Sequence, residues 1–174
     1  MSDLQAFLLK GALLLDPEQT RDYTEITTTI AAVVESEPPL FQNDADKHHT
    51  ASLILAIGWR ESGLRTRIHG DCDESKPGEP CKGKPHSFGF LQLHDSSGGS
   101  EAHNDNPALC TRVGMSMLRT SMRIDPLNPI SFYASGPRGY KTERAQRISR
   151  DRVALAKHIF AAATSALEID KALR

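Results

Sequence analysis

Residues 47–63 read KHHTASLILAIGWRESG, and between Ala51 and Trp59 this run is apolar on nearly every side of a helix. A helix that is apolar all round is normally buried within a core, so we expect a central helix from about 47 to 62. Gly63 stands where a left-handed C-cap residue is wanted. Side-chain oxygens that can cap the start of this helix precede it, on Asn43, Asp44 and Asp46.

Further helices are predicted on both sides of this central one, because apolar residues recur at three- and four-residue intervals. They cover residues 4–15, 20–35, 107–124 and, starting at about 143 or 151, the chain to 173. A short helical turn is expected over 129–135. The inward residues predicted for the last helix are Val153, Ala156, Phe160, Ala163 and Leu167.

Residues 65–106 show little periodicity and are rich in Gly, Pro, Ser, Asp and His. A connector of that length is uncommon in a compact domain unless it carries function. The predicted fold class is therefore mainly α, with a small irregular or β lobe.

The length, the net charge and the apolar runs of the chain limit the classes of protein to which it can belong. The 174 residues suit a single domain over 1–174, with N-terminal helices in 1–40, a motif-bearing core in 43–137 and a C-terminal helix in 143–174. The formal net charge of -1 argues against a nucleic-acid-binding surface. The longest apolar runs are far shorter than the roughly 20 residues that span a bilayer, so no membrane span is expected.

Glu61 is the first candidate catalytic residue, and it lies at the C-terminal end of the predicted central helix. The negative end of the helix dipole and apolar packing both favour the protonated carboxyl, which is the form a general acid needs. The alternative, favoured by position alone, is a solvated Glu or an ion-pair partner of Arg60 or Arg65.

Two later segments carry further candidates. In SFGFLQ, residues 87–92, Gly89 lets backbone approach a ligand, Ser87 and Gln92 offer hydrogen bonds, and Phe90 offers an apolar or stacking surface. A plain β-turn is the alternative. In ISFYASG, residues 130–136, Tyr133 either points its hydroxyl into a cleft or lies in the core with that hydroxyl satisfied.

Together these segments resemble the lysozyme-like superfamily, and within it the soluble lytic transglycosylases and goose-type lysozymes. In that family a buried helix ends in a catalytic Glu followed by Ser, as Glu61 and Ser62 do. The order and approximate spacing of the motifs agree over about residues 47–137.

The other two motifs extend the resemblance. The family's Ser-x-Gly-x-x-Gln loop lines the glycan cleft, as residues 87–92 would, and the Tyr of its Ala-Tyr-Asn-Ala-Gly motif touches the catalytic Glu, as Tyr133 would. Ala134 and Ser135 replace the family's Asn and second Ala, which leaves Ser135 as a candidate substrate contact.

The resemblance implies a lysozyme-like fold whose lobe flanks a glycan cleft, and cleavage of the β-1,4 bond between N-acetylmuramic acid and N-acetylglucosamine in peptidoglycan. Glu61 would act as acid and then base, without a cofactor. A transglycosylase can dispense with a second carboxylate, whereas a hydrolase needs a positioned water or second acid. Candidate helpers are Asp71, Asp73 and Asp95. The competing class is a non-catalytic module that binds wall glycan or a partner in a phage or secretion apparatus.

Cysteine and histidine usage adds two expectations. Cys72 and Cys81 either form a disulfide within the long loop or stay reduced, and the odd count of three leaves one thiol unpaired. Their spacing fits a structural zinc site poorly, so no metal is expected. No signal peptide is recognisable, which suggests a protein made in the cytoplasm and delivered to the bacterial cell wall by a phage, a virion or a specialised secretion system.

Overall fold

A computed structural model describes residues 1–66 and 86–173, which form seven α-helices, a two-stranded sheet and a 3-10 turn. The predicted class, mainly α with a small β lobe, is confirmed. The elements are α1 (Asp3–Leu15), α2 (Thr24–Ser36), α3 (His48–Ser62), β1 (Ser87–Phe88), β2 (Leu93–His94), the 3-10 turn (Asp95–Ser97), α4 (Ala102–Asp105), α5 (Pro107–Ile124), α6 (Ser131–Gly139) and α7 (Glu143–Ala172).

Helix α3 forms the centre of the core, as predicted, because every residue from Thr50 to Gly58 is buried. Helices α1 and α7 both pack against it. A glycine makes this three-helix packing close: a Cβ on Gly11 of α1 would lie 2.8 Å from Leu55 Cδ2 and 2.9 Å from Ile159 Cγ2.

The ends of α3 are closed largely as the sequence predicts. The buried Asp44 carboxylate accepts hydrogen bonds from the backbone N–H groups of His49 (2.9 Å) and Thr50 (2.7 Å). Asp46 accepts a bond from the N–H of His48 at 3.2 Å. At the other end, Gly63 is the left-handed C-cap, with φ of 59°.

Helix α2 begins at Thr24, four residues later than predicted. The Asp16 carboxylate accepts hydrogen bonds from the N–H and hydroxyl of Thr20 and from the hydroxyl of Tyr23. Asp22 in turn accepts the N–H of Thr24 at 2.8 Å. Such side-chain bonds hold the preceding segment in a turn and compete with helix formation.

The other helices follow the prediction with two differences. Helix α6 starts at Ser131 and continues to Gly139 across a kink at Gly136, whose φ of 61° and ψ of -170° are not helical. Helix α4 lies inside residues 65–106, for which the sequence predicts irregular structure. Helix α5 begins as predicted, with Asn106 accepting the N–H of Leu109 and Pro107 at the first helical position.

The lobe is built from the antiparallel pair β1 and β2, with Ser87 opposite His94 and Phe88 opposite Leu93. The turn between the strands is anchored to the helical core through the buried side chains of Phe90 and Leu91. Among the described helices, none combines the length and apolar character that crossing a membrane requires.

Candidate active site

Glu61 lies at the C-terminal end of α3 and is paired with an arginine of the last helix. Arg152 of α7 donates two hydrogen bonds to the same carboxylate oxygen, Oε1, from Nη2 at 2.6 Å and from Nε at 3.1 Å. The Arg152 side chain is 12% exposed and that of Glu61 is 22% exposed. The pair is therefore shielded from most of the solvent, and the Glu61 side chain is the more exposed of the two.

The two arginines considered from the sequence have other partners. Arg60 forms an exposed ion pair with Asp151 at 3.0 Å, one residue away from the Glu61 pair on both helices. Arg65 donates to the backbone carbonyl of Ser62. Glu61 therefore forms an ion pair, which is part of the alternative to a poised acid, but its partner is Arg152 and not Arg60 or Arg65.

The three sequence segments meet at the consecutive backbone carbonyls of Phe90 and Leu91. The Ser62 hydroxyl, next to Glu61, lies 2.9 Å from the carbonyl oxygen of Phe90, a distance at which it donates a hydrogen bond. The Tyr133 hydroxyl donates to the carbonyl of Leu91 at 2.6 Å. Two consecutive carbonyls of the loop are thus held by residues of α3 and α6.

Tyr133 is a neutral hydrogen-bond donor in this arrangement. Desolvation of its hydroxyl raises its pKa well above the usual 10.0, and the negative charge of the nearby Glu61 raises it further. Arg152 acts in the opposite direction with a smaller effect. The phenol therefore stays protonated across the physiological pH range, and it lies within electrostatic range of the carboxylate and its arginine.

Gly89 allows the loop to approach α4 and α5 closely. Its φ of 68° lies in the left-handed region, and a Cβ there would lie 2.7 Å from Cys110 Sγ and 2.8 Å from the carbonyl oxygen of His103. Its N–H donates to Asn104 Oδ1 at 2.6 Å. The Gln92 side-chain amide donates to the Gly89 carbonyl at 2.8 Å, which closes the turn.

The remaining candidates, Phe90, Ser87 and Ser135, differ in how deeply they are buried. Phe90 is completely buried, with its ring against Gly58 of α3, so in this arrangement it packs the core and presents no stacking surface to a ligand. Ser87 and Ser135 are half-buried, in β1 and α6 respectively.

Asp95 lies in the 3-10 turn after β2 and is held by two histidines. Its carboxylate contacts His86 Nδ1 at 2.5 Å and His94 Nδ1 at 2.9 Å. The hydrogen bond from His86 is the main cause that lowers the pKa of Asp95 below 3.8. Four further predicted residues lie outside the described part of the chain: Asp71, Asp73, Cys72 and Cys81.

A small cleft opens beside Tyr133, between α5, α6 and the 3-10 turn. Its volume is about 140 Å³, smaller than the roughly 300 Å³ at which pockets for small organic ligands begin. It is lined by Ser97, Ser116, Met117, Thr120, Phe132 and Tyr133. Tyr133 is the residue that the cleft shares with the site, and hydroxyl groups line the cleft beside apolar side chains.

Arg152 is the site residue that the sequence analysis missed. A signal for it exists, because the buried stripe of α7 runs through 145, 149, 156, 159 and 163, and Arg152 continues the same three- and four-residue spacing. A charged residue on the buried stripe of a helix needs a partner, and here the partner is Glu61. Within residues 1–66 and 86–173, no group of three or more His, Cys, Asp or Glu side chains is arranged to hold a metal.

Comparisons of the chain with protein-family models, curated proteins and solved structures found no match.

Proposed function

We propose that this protein is a peptidoglycan-cleaving glycosidase that acts by a single-Glu lytic transglycosylase mechanism. The observation that carries the proposal is the meeting of three distant segments at two consecutive peptide groups of the loop. Ser62 and Tyr133 hold the consecutive carbonyls of Phe90 and Leu91. Glu61 directly precedes Ser62 in the chain, and its charge acts on Tyr133. These are the segments in which the sequence resembles that family.

In the proposed reaction, protonated Glu61 donates its proton to the glycosidic oxygen as the bond from that oxygen to C1 of the muramic residue breaks. The carbonyl oxygen of the substrate's own N-acetyl group forms a bond to C1. The Glu61 carboxylate then accepts the proton of the muramic 6-hydroxyl while that oxygen attacks C1 and displaces the acetamido oxygen. The product is a 1,6-anhydro sugar, and no water is consumed.

The protein's own residues would supply position and electrostatics in this scheme. The neutral Tyr133 and the loop of residues 87–92, to which it donates a hydrogen bond, would keep the surroundings of Glu61 fixed. This preserves the alignment on which proton transfer depends. The hydrogen bond from His86 lowers the pKa of Asp95 and so keeps its carboxylate ionised. In a hydrolytic reaction, Asp95 would therefore act as the base that activates water. Hydrolysis of the same bond is the closest variant of the proposal.

A non-catalytic role has one observation in its favour, the ion pair between Glu61 and Arg152. A pair that joins α3 to α7 can serve to connect the helices of a glycan-binding or structural module. Such a module has no need of a proton donor, so replacing the carboxyl group separates the two classes.

The test is digestion of purified peptidoglycan by wild type and Glu61→Gln, with mass spectrometry of the soluble muropeptides. We expect the wild type to release products with 1,6-anhydro ends, and Glu61→Gln to lose at least about 100-fold of that rate, as the loss of a general acid implies. Reducing ends would indicate a hydrolase. Equal release by both proteins would refute the role of Glu61, and no release by the wild type from several wall types would favour the binding module.

A further inference from the structure

The two carboxyl oxygens of Glu61 differ in their hydrogen bonds to Arg152. Both hydrogen bonds from Arg152 go to Oε1. Within residues 1–66 and 86–173, no hydrogen bond reaches the other oxygen, Oε2. The Glu61 side chain is 22% exposed, so part of it is in contact with solvent.

The guanidinium group is itself held in place. Its Nη1 lies 3.5 Å from the carbonyl oxygen of Ile148 one turn earlier in α7, and the side chain is only 12% exposed. The helix that carries it is fixed to the core by Ala156 and Ile159, which are buried. A planar guanidinium in a fixed place restricts the rotation of the carboxyl group that it binds.

We propose that Arg152 is a positioning residue that holds Oε1 of Glu61 and thereby leaves Oε2 as the oxygen that exchanges protons with the substrate. This inference rests on the proposed glycosidase function. Arg152 stabilises the carboxylate that remains after proton donation, and it keeps the same oxygen directed at the sugar for the second, basic half of the reaction.

The charged and titratable groups that face Glu61 are consistent with this assignment. Tyr133 of α6 is neutral and its hydroxyl is engaged with the Leu91 carbonyl. The Arg60–Asp151 pair is about half exposed on each side. Among the described residues, Arg152 is therefore the charged group in direct contact with the carboxyl.

A matched control exists next to Arg152. Asp151 is the neighbouring residue on α7, and its pair with Arg60 joins the same two helices as the Glu61 pair does. Asp151→Asn removes that connection between α3 and α7 without touching Glu61. It measures how much of any effect comes from weaker helix docking.

The experiment compares wild type, Arg152→Gln, Arg152→Lys and Asp151→Asn in muropeptide release, with kcat and KM determined separately and folding monitored by circular dichroism. We expect kcat of Arg152→Gln to fall by about 10- to 100-fold, as misplacement of a catalytic group does, with KM little changed. Arg152→Lys should recover part of kcat, since it restores the charge without the fork. Asp151→Asn should keep the wild-type kcat.

The outcomes separate this inference from the function on which it rests. An active wild type together with wild-type kcat in Arg152→Gln would overturn the positioning role alone. If Arg152→Gln does not fold, a wild-type kcat in Arg152→Lys would overturn it equally. An equal loss in Asp151→Asn would assign the effect to helix docking, and absence of products from the wild type would refute the proposed function itself.

Discussion

At the scale of single residues, the buried thiol of Cys110 shows how closely residues 87–92 pack against α5. Its thiol lies beneath residues 87–92, and burial raises its pKa from 9.0 to about 12 in spite of backbone hydrogen bonds from Leu91 and Phe90. Burial that desolvates a thiol makes it a poor nucleophile. Cys110 is thus part of the packing that supports the loop.

The raised pKa of Cys110 makes stability depend on alkaline pH. The folded thiol keeps its proton above pH 9, whereas the unfolded chain releases it, so the stabilisation is complete below pH 9 and falls as the pH rises toward 12. We expect the stability difference between wild type and Cys110→Ala to shrink by about 1 kcal/mol from pH 9 to pH 10.

Urea denaturation under reducing conditions at both pH values measures this difference. Wild type and variant share every tyrosine, and the folded Cys110 thiol is uncharged at both pH values, so the contributions of Tyr23 and Tyr133, whose pKa values are also raised, cancel in the comparison. A difference that stays constant with pH would contradict the assignment.

At the scale of elements, the start of α3 depends on Asp44. Helix N-termini leave backbone N–H groups without partners, and Asp44, four residues before the first residue of α3, satisfies two of them. Its side chain is buried, so water cannot readily replace it. The central helix of the molecule is therefore closed by a residue that lies outside it.

We expect Asp44→Ala to lower the free energy of unfolding by about 2 kcal/mol, since it leaves the buried N–H of Thr50 and the partly buried N–H of His49 unsatisfied. Asp46→Ala is the matched control, because Asp46 is exposed and accepts one backbone bond of 3.2 Å, beside a contact of 3.2 Å with the ring Nδ1 of His48. It should cost under about 1 kcal/mol. Urea denaturation followed by circular dichroism gives both values, and equal costs would show that burial of the cap has no energetic role.

At the scale of the whole molecule, the close packing of α1, α3 and α7 aligns the site. Arg152 reaches Glu61 only because α7 lies against α3, and Gly11 of α1 occupies the point where all three helices meet. A side chain at Gly11 would push Leu55 and Ile159 apart, and these belong to α3 and α7 respectively.

Gly11→Ala tests this packing. The change gains about 1 kcal/mol of helix propensity, but overpacking costs about 1 to 3 kcal/mol, so a net loss of stability is expected. Thermal and urea denaturation check the sign. In a double-mutant cycle with Ile159→Ala, the added methyl should partly fill the space that truncation creates, and strictly additive effects would argue against direct contact.

The sequence by itself was sufficient for the helical class, the buried central helix and most of its caps. These features depend on local patterns: apolar spacing, Gly63 at a left-handed position, and Asn106 before Pro107. The late start of α2 was not predictable from apolar spacing, because the hydrogen bonds of Asp16 with Thr20 and Tyr23 outweigh local helical periodicity there.

In the candidate site, too, some features follow from the sequence and others only from the tertiary structure. The sequence contained Glu61, Ser62, Gly89 and Tyr133 as motif residues, but only the tertiary structure decided that Phe90 is buried and that Arg152 is the partner of Glu61. Arg152 and Glu61 are 91 residues apart in the chain. Their contact depends on how two long helices pack, because hydrogen bonds and ion pairs act over a few ångströms, whereas sequence periodicity indicates only which face of each helix is buried.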